Sequence, residues 1–288
     1  MKNRISVIGL GYVGSTTAIG FAKLGYRVMG VDLIYSKVNK INKLNKKGLR
    51  ATLDLEGPVL RSDISFVCVE TPTKRNGELD LNPLKKVCKD LANVIGNKEY
   101  HLIVIRSTIF PGSLEILKKE LEKFSGKKCG LDFDLATNPE FLREKTAMKD
   151  FLDPSYIVVG ADNNGVGKKV MDCYNGIDAK RFVVKNDIAQ MIKYVNNSWH
   201  ACKVSFTNEV GAVCKKFGVN GDNLMNLFCA DKKLNVSTYY HKIGGPFGGH
   251  CLPKDLTVLQ NKIKEVKLKC SLIQSITESN KEQIKRGK

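Results

Sequence analysis

The sequence predicts an α/β fold: an N-terminal, mainly parallel sheet with helices on both faces, followed by an α-helical central region. Three observations predict it. Short apolar runs of strand length alternate with helix-period segments over residues 1–185. The first strand–helix junction carries Gly9-x-Gly11-x-x-Gly14. Beyond the alternating region, Asp187 to Gly218 reads as one long helix that opens a helical domain over residues 186–288.

The elements follow in order. Ile5 to Ile8 is a short, buried-type strand. A helix-period run through Ala18, Phe21, Ala22 and Leu24 comes after the glycine turn and stops at Gly25. "YRVMGVD" is a second strand ending in Asp32. Gly9 allows the tight turn, Gly11 lets the backbone approach a pyrophosphate, and Gly14 lets the helix pack close to the strand. The helix N-terminus offers N–H groups and a positive dipole end to phosphates. Asp32, about 20 residues on, accepts hydrogen bonds from ribose hydroxyls and repels a 2′-phosphate. The expected cofactor is therefore NAD, and the expected domain is Rossmann-like.

The alternation continues through "DISFVCVETPT", "HLIVIRSTIFPGS", "DFDLATNPEFL", "PSYIVVGA" and "KRFVVK" as strands. Helical segments such as "LNPLKKVCKDLANVIG" and "SLEILKKELEKF" lie between them. Ligands on such sheets sit beyond the carboxyl ends of the strands. Thr71, Thr108 and Glu144 all follow strand-like runs, so they are candidates to line one crevice. The two threonines read equally well as turn or capping residues.

In the long helix, Asp187 is the expected N-cap and Gly218 the residue just past the C-terminus. Apolar residues including Ile188, Val195, Trp199 and Phe206 wrap much of its circumference, which predicts a helix buried between partners. Lys193, Asn197 and His200 are spaced i, i+4, i+7 on one face, with Asn208 close to the same line. Aligned polar groups on a buried helix need partners. An anionic or hydroxyl-rich ligand and a solvated stripe are the two readings.

"GGPFGGHCLPKD" is the other singular stretch. Its glycines permit an irregular backbone close to a ligand. Pro253 suits a first helical turn, which puts Cys251 at a helix N-terminus, with Lys254 and Asp255 just behind it. There the dipole favours a thiolate, the setting of a nucleophile. A structural thiol beside a glycine turn is the alternative.

Bulk properties narrow the class. A chain of 288 residues suffices for a sizeable core, and no apolar run reaches membrane-span length. The opening segment lacks the pattern of a cleavable signal, so a cytoplasmic protein is expected. None of the nine cysteines forms a C-x-x-C pair, and with only four histidines no zinc spacing exists. No metal is expected. The net charge of +18 comes from dispersed lysines without basic–aromatic interleaving, so it reads as composition bias rather than a nucleic-acid surface.

Five motifs, "GLGYVG", "RSTIFPGS", "TNPEFLREKTAMKDFLDP", "MIKYVNNSWHACKVSFTNE" and "FGGHCLPKD", resemble those of the UDP-glucose/GDP-mannose dehydrogenase family, in that family's order. The resemblance covers nearly the whole chain. It implies oxidation of a nucleotide sugar's C6 alcohol to a uronic acid, with two NAD per turnover. Gly9, Gly11, Tyr12, Val13, Gly14, Asp32, Lys37, Thr71, Thr108 and Lys254 match the family's cofactor positions. Glu144, Lys193, Asn197, His200, Asn208, Tyr239, Tyr240 and Gly248 match positions around the sugar nucleotide, where Lys242 stands in place of an arginine. Cys251 matches the nucleophile. Lys193, assisted by Asn197, would stabilise oxyanions, and Glu144 or Asp255 would activate water. "KKLNVSTYY" and "SGKKCGLDF" favour GDP-mannose over a UDP sugar. The family also implies a homodimer built on the long helix.

The sequence departs from the family in three ways. It ends where the family pattern continues into a C-terminal nucleotide-binding domain, which is expected to be absent here. The segment between Ile41 and Ser62 is shorter than usual, so one flank of the sheet is expected to be altered. Glu70 and Gly245 differ from the GDP-mannose type. Two readings therefore stay open: a nucleotide-sugar dehydrogenase, or a non-catalytic, NAD-binding, dimeric remnant.

Overall fold

The computed structural model describes residues 4–216, 218–232, 244–265, 267 and 271–287. It divides into two compact units: Met1–Pro72 with Leu79–Lys193, and Thr73–Glu78 with Tyr194–Lys288.

The first unit begins with β1 (Arg4–Ile8), α1 (Tyr12–Lys23), β2 (Arg27–Val31), α2 (Tyr35–Lys43), β3 (Leu49–Thr52), α3 (Glu56–Leu60) and β4 (Ile64–Val67). It continues through α4 (Asn82–Ile95), β5 (His101–Ile105), α5 (Ser113–Ser125), β6 (Phe133–Thr137), α6 (Ala147–Leu152), β7 (Tyr156–Ala161), α7 (Asn164–Asp172) and β8 (Lys180–Val184). One sheet holds all eight strands, in the order β3-β2-β1-β4-β5-β6-β7-β8. Every pairing is parallel except β6 with β7, which is antiparallel. The sheet is thus mainly parallel, and the strand order turns back between β1 and β4, where such folds open a ligand crevice.

Burial on both faces explains the near-continuous apolar strands. Along β5, Leu102 and Val104 join the core on one face while Ile103 and Ile105 join the other. The first core centres on Phe21, Phe66 and Val159, the second on Leu84, Leu91, Leu117 and Phe133. The segment after Ile41 supplies an edge strand, β3, and a brief helix, α3, neither of which the sequence pattern foretold. "LRAT" is too short and too mixed to stand out, and its pairing with β2 is what makes it a strand.

Among the described residues, four helices follow: α8 (Asn186–Lys216), α9 (Gly221–Ala230), α10 (Cys251–Glu265) and α11 (Ser271–Arg286). Asp187 lies inside the first turn of α8 rather than ahead of it, and Asn186 precedes it in the helix. The C-terminal expectation fits: Gly218 is left-handed at φ +67°, and Val219 N–H reaches back to Cys214 O at 2.9 Å. In the second unit, Ala201, Phe247, Leu256 and Ile276 form a small core. Gly77, also left-handed, lets the Thr73–Glu78 turn meet α10, where Asn261 Nδ2 donates to Asn76 O at 3.2 Å.

The polar and apolar residues of α8 divide by burial. Ile188, Val195, Trp199 and Phe206 are all roughly half exposed, whereas the polar Lys193, Asn197 and Asn208 are no more than 7% exposed. The polar residues have found partners within the fold, so burying them costs little. The apolar ones, spaced at 7, 4 and 7 residues, are left as a stripe.

Candidate functional site

The carboxyl ends of β1, β2 and β4 open a cavity of about 300 Å3. Its lining includes Gly9, Gly11, Asp32, Lys37, Glu70 and Lys86. Gly9 is left-handed at φ +89°. A Cβ on Gly14 would come within 1.6 Å of Gly9 O, so the close turn–helix packing needs that glycine. A Cβ on Gly11 would meet nothing nearer than Glu70 Oε1 at 3.9 Å, which leaves open space over the backbone. No side chain caps the N-terminus of α1, so its N–H groups suit a phosphate. Tyr12 and Val13 form the first residues of that helix, with Tyr12 exposed.

Asp32, on the cavity wall, is held in place by its neighbours. Its Oδ2 accepts from Leu10 N–H at 2.7 Å, its Oδ1 from Ile34 N–H at 2.9 Å, and Lys37 Nζ stands 3.6 Å from Oδ2. Glycine turn, uncapped helix and anchored acid together fit a dinucleotide. Thr71 and Thr108, 37 residues apart, are brought together, with Thr71 Oγ1 donating to Thr108 O at 2.8 Å. Glu70 is an acid on the wall of this cavity.

The first unit also holds a buried polar group. Arg106 directs Nε to Thr17 Oγ1 at 3.0 Å and Nη1 to Tyr174 Oη at 3.0 Å and Asn138 Oδ1 at 2.5 Å. Asn138 Nδ2 in turn donates to Val158 O at 2.8 Å. Two residues on, Glu140 Oε1 accepts from Lys193 Nζ at 2.7 Å, both side chains being almost fully buried. Burial alone would raise the Glu140 carboxyl. The Lys193 ammonium and the Leu142 N–H outweigh it and hold the group below the usual carboxylate range.

Sequence reasoning singled out Glu144 and did not name Glu140. Both stand in "NPEFLRE", but Glu144 is exposed on the loop while Glu140 is the buried partner of Lys193. Placement directly after the strand end was the only signal available.

The second unit holds the cysteine. Cys251 is the first residue of α10 and is exposed, whereas the other seven described cysteines are buried or half-buried. Burial pushes the Cys68, Cys88 and Cys173 thiols up to about 12, which leaves them inert. One turn beyond Cys251, Asp255 is buried at 1% exposure. Its Oδ2 is bound by Asn197 Nδ2, and Lys254 Nζ lies 3.4 Å from Oδ1. The i, i+4 spacing puts thiol and carboxylate on one face of α10.

The glycine loop ahead of Cys251 is tethered at both ends. Asn208 donates Nδ2–H to Gly245 O at 2.9 Å and accepts from Gly244 N–H at 3.2 Å. Phe247 is pinned by Asn280 through N–H and C=O. Gly248 is exposed in this loop, and His200 is half-buried on α8. Tyr239, Tyr240 and Lys242 lie outside the described residues. Among the described residues, no helix is long and apolar enough to cross a membrane.

Comparison with known proteins bears on all of this. Residues 3–47 and 42–178 match the NAD-binding domain of the UDP-glucose/GDP-mannose dehydrogenase family, and residues 187–282 match its central domain. GDP-mannose 6-dehydrogenase of Pseudomonas aeruginosa is 40% identical over 99% of this chain and 70% of its own length. UDP-glucose 6-dehydrogenase of Rickettsia prowazekii is 35% identical over 96% of this chain and 66% of its own length. Among solved structures, a UDP-glucose dehydrogenase from Pyrobaculum islandicum superposes with a TM-score of 0.90 at 32% identity, covering 98% of this chain and 68% of that one. A GDP-mannose dehydrogenase from Pseudomonas aeruginosa gives 0.79 at 40% identity, over 98% and 69%. With the glycine crevice and the two matched domains, these findings establish that the chain belongs to the UDP-glucose/GDP-mannose dehydrogenase family and is an NAD-dependent dehydrogenase.

Proposed function

We propose that this chain oxidises the C6 hydroxyl of GDP-mannose to the carboxylate, and that Cys251 carries the sugar covalently between the two oxidations. The observation that carries the reading is Cys251, exposed at the first residue of α10, with the buried Asp255–Asn197 pair one turn behind it. The higher identity to a GDP-mannose enzyme than to a UDP-glucose enzyme supports the choice of sugar.

Gly9, Gly11, Gly14, Asp32 and Lys37 would hold NAD, with Tyr12, Val13, Thr71, Thr108 and Lys254 as further candidates. NAD supplies a hydride acceptor, and two are consumed for each sugar. The Cys251 thiolate, favoured at a helix N-terminus, adds to the C6 aldehyde and forms a thiohemiacetal. Oxidation of that adduct leaves a thioester. Water then adds to the thioester carbonyl, the C–S bond breaks, and the thiolate returns with the carboxylate released. Lys193 and Asn197 donate hydrogen bonds to the oxygen that becomes negative at each tetrahedral stage. Asp255 takes the proton of the attacking water, with exposed Glu144 as the alternative base. Covalent capture keeps the aldehyde from escaping between the two steps.

The test is NADH formation with GDP-mannose, compared with UDP-glucose and with Cys251→Ala. Turnover on GDP-mannose that disappears in the variant is expected. Robust turnover by Cys251→Ala, or preference for UDP-glucose, overturns the proposal. NAD binding without turnover on either nucleotide sugar would equally overturn it.

We also infer a homodimer through the stripe Ile188, Val195, Trp199 and Phe206 on α8, with a second copy of the chain as occupant. Trp199→Asp should convert a dimer to a monomer in sedimentation, and a wild-type monomer at micromolar concentration would dismiss the inference.

A further inference from the structure

A second cavity, of about 280 Å3, opens at the amino-terminal edge of the same sheet. Its floor is apolar, formed by Met29 and Pro58, with Ile5 and Val28 buried in the core behind it. Around that floor stand four arginines: Arg4, Arg27, Arg50 and Arg61. The strand register crowds them. Arg4 lies directly opposite Arg27 across β1 and β2, and Arg50 is opposite Met29 across β2 and β3. Like charges facing one another on neighbouring strands repel. Among the described residues, none of the four is ion-paired. Arg50 Nη1 finds only neutral acceptors, Leu49 O at 2.9 Å and Lys46 O at 3.5 Å. The nearby Asp54 carboxylate is already occupied by the N–H groups of Glu56 and Gly57.

Gly48, Arg50, Pro58 and Arg61 all come from the segment between Ile41 and Ser62. That segment therefore builds half of a concave, cationic site that the dehydrogenase reaction does not use. The cofactor crevice lies at the other end of β1 and β2, at Ile8 and Val31. Four residue steps at ~3.3 Å each separate the two ends by about 13 Å.

We propose that this cavity binds a small phosphate monoester with a flat apolar body. Guanidinium groups match phosphate oxygens in forked geometry. A phosphate monoester brings about −1.5 to −2 charges at neutral pH, enough to relieve repulsion that one carboxylate would only half offset. The apolar floor favours an aromatic or aliphatic body over bare phosphate or a hydroxyl-rich sugar phosphate. The volume, about 280 Å3, sits at the lower end of small-ligand pockets.

The probe is 1-naphthyl phosphate, followed by its fluorescence on titration into the full chain with NAD present at saturation. Saturable binding unaffected by NAD is expected, weakened about tenfold or more in the Arg27→Ala/Arg50→Ala variant. Inorganic phosphate should compete only at much higher concentration, and 1-naphthol should not bind. In phosphate-free buffer the variant should melt no lower than the wild type, because removing unpaired like charges removes repulsion. The probe should raise the wild-type melting temperature alone. Absence of saturable binding, displacement by NAD, equal affinity in the variant, equal potency of inorganic phosphate, or a variant that melts well below the wild type would each overturn the proposal.

Discussion

Lys193→Ala would test the buried pair most directly. Lys193 Nζ and Glu140 Oε1 are 2.7 Å apart, with side-chain exposures of 6% and 7%. At an effective dielectric of about 20 the attraction at that distance is ~6 kcal/mol, most of which is cancelled by the desolvation of two charges. Removing one partner leaves that desolvation in place for the other. Breaking such a pair costs about 3–5 kcal/mol. Arg106 also lowers the Glu140 carboxyl and Leu142 N–H still donates to it, so the lower end, about 3 kcal/mol, is expected. In a unit of this size that is a fall in melting temperature of roughly 6–12 °C. The double variant Lys193→Met/Glu140→Leu should lie within about 1 kcal/mol of the wild type, because no uncompensated charge remains. Urea unfolding of the wild type, the two single variants and the double, followed by far-UV circular dichroism, gives the coupling energy. A Lys193→Ala loss below about 1 kcal/mol, or a double variant as unstable as the sum of the singles, would refute the reasoning. The pH dependence has a definite sign. Glu140 is depressed in the folded state, so its contribution is present above the ordinary carboxylate value and lost as pH falls through the folded one.

Other outcomes follow from the same geometry. Gly11→Ala should keep its melting temperature within about 2 °C yet bind NADH tenfold or more weakly, whereas Gly14→Ala should lose about 3 kcal/mol or more from collision with Gly9 O; thermal melts and NADH fluorescence separate the two. Burial pushes fully buried His101 down to about 3, so its neutral form stabilises the fold fully above about pH 6.5, and stability falls as pH drops below that. At pH 5 the cost is about 2 kcal/mol, and His101→Gln should abolish that slope in melts at pH 7 and pH 5. Asn208→Ala should loosen the loop ahead of Cys251, seen as faster alkylation by iodoacetamide with little change in melting temperature; an unchanged alkylation rate would mean the tether is idle.

The parts legible in the sequence were those coded by neighbours along the chain. Gly9, Gly11 and Gly14 announce a turn, a close approach and a tight helix–strand contact because each demand falls on a single residue's backbone. The apolar strands announce themselves because a parallel sheet buries both faces. Cys251 at a helix start was readable from Pro253 and the glycines before it. The edge strand β3 was not readable, since "LRAT" has no strong local preference and becomes a strand only by pairing with β2.

Tertiary structure alone decided the faces and the partners. On α8 the spacing of Lys193, Asn197 and Asn208 was plain, but their burial, with Ile188, Val195, Trp199 and Phe206 left exposed, depended on acceptors elsewhere in the chain. Glu140 and Glu144 are four residues apart in one motif, and nothing local distinguishes them. The ion pair to Lys193 spans 53 positions, and Asn197 reaches Asp255 across 58. Such pairings depend on where the fold carries each element, because a charge separated from its partner by more than fifty residues leaves no periodic trace. The same holds for the arginine-lined cavity. Its four cations are scattered from residue 4 to residue 61, and only the strand register gathers them into one place.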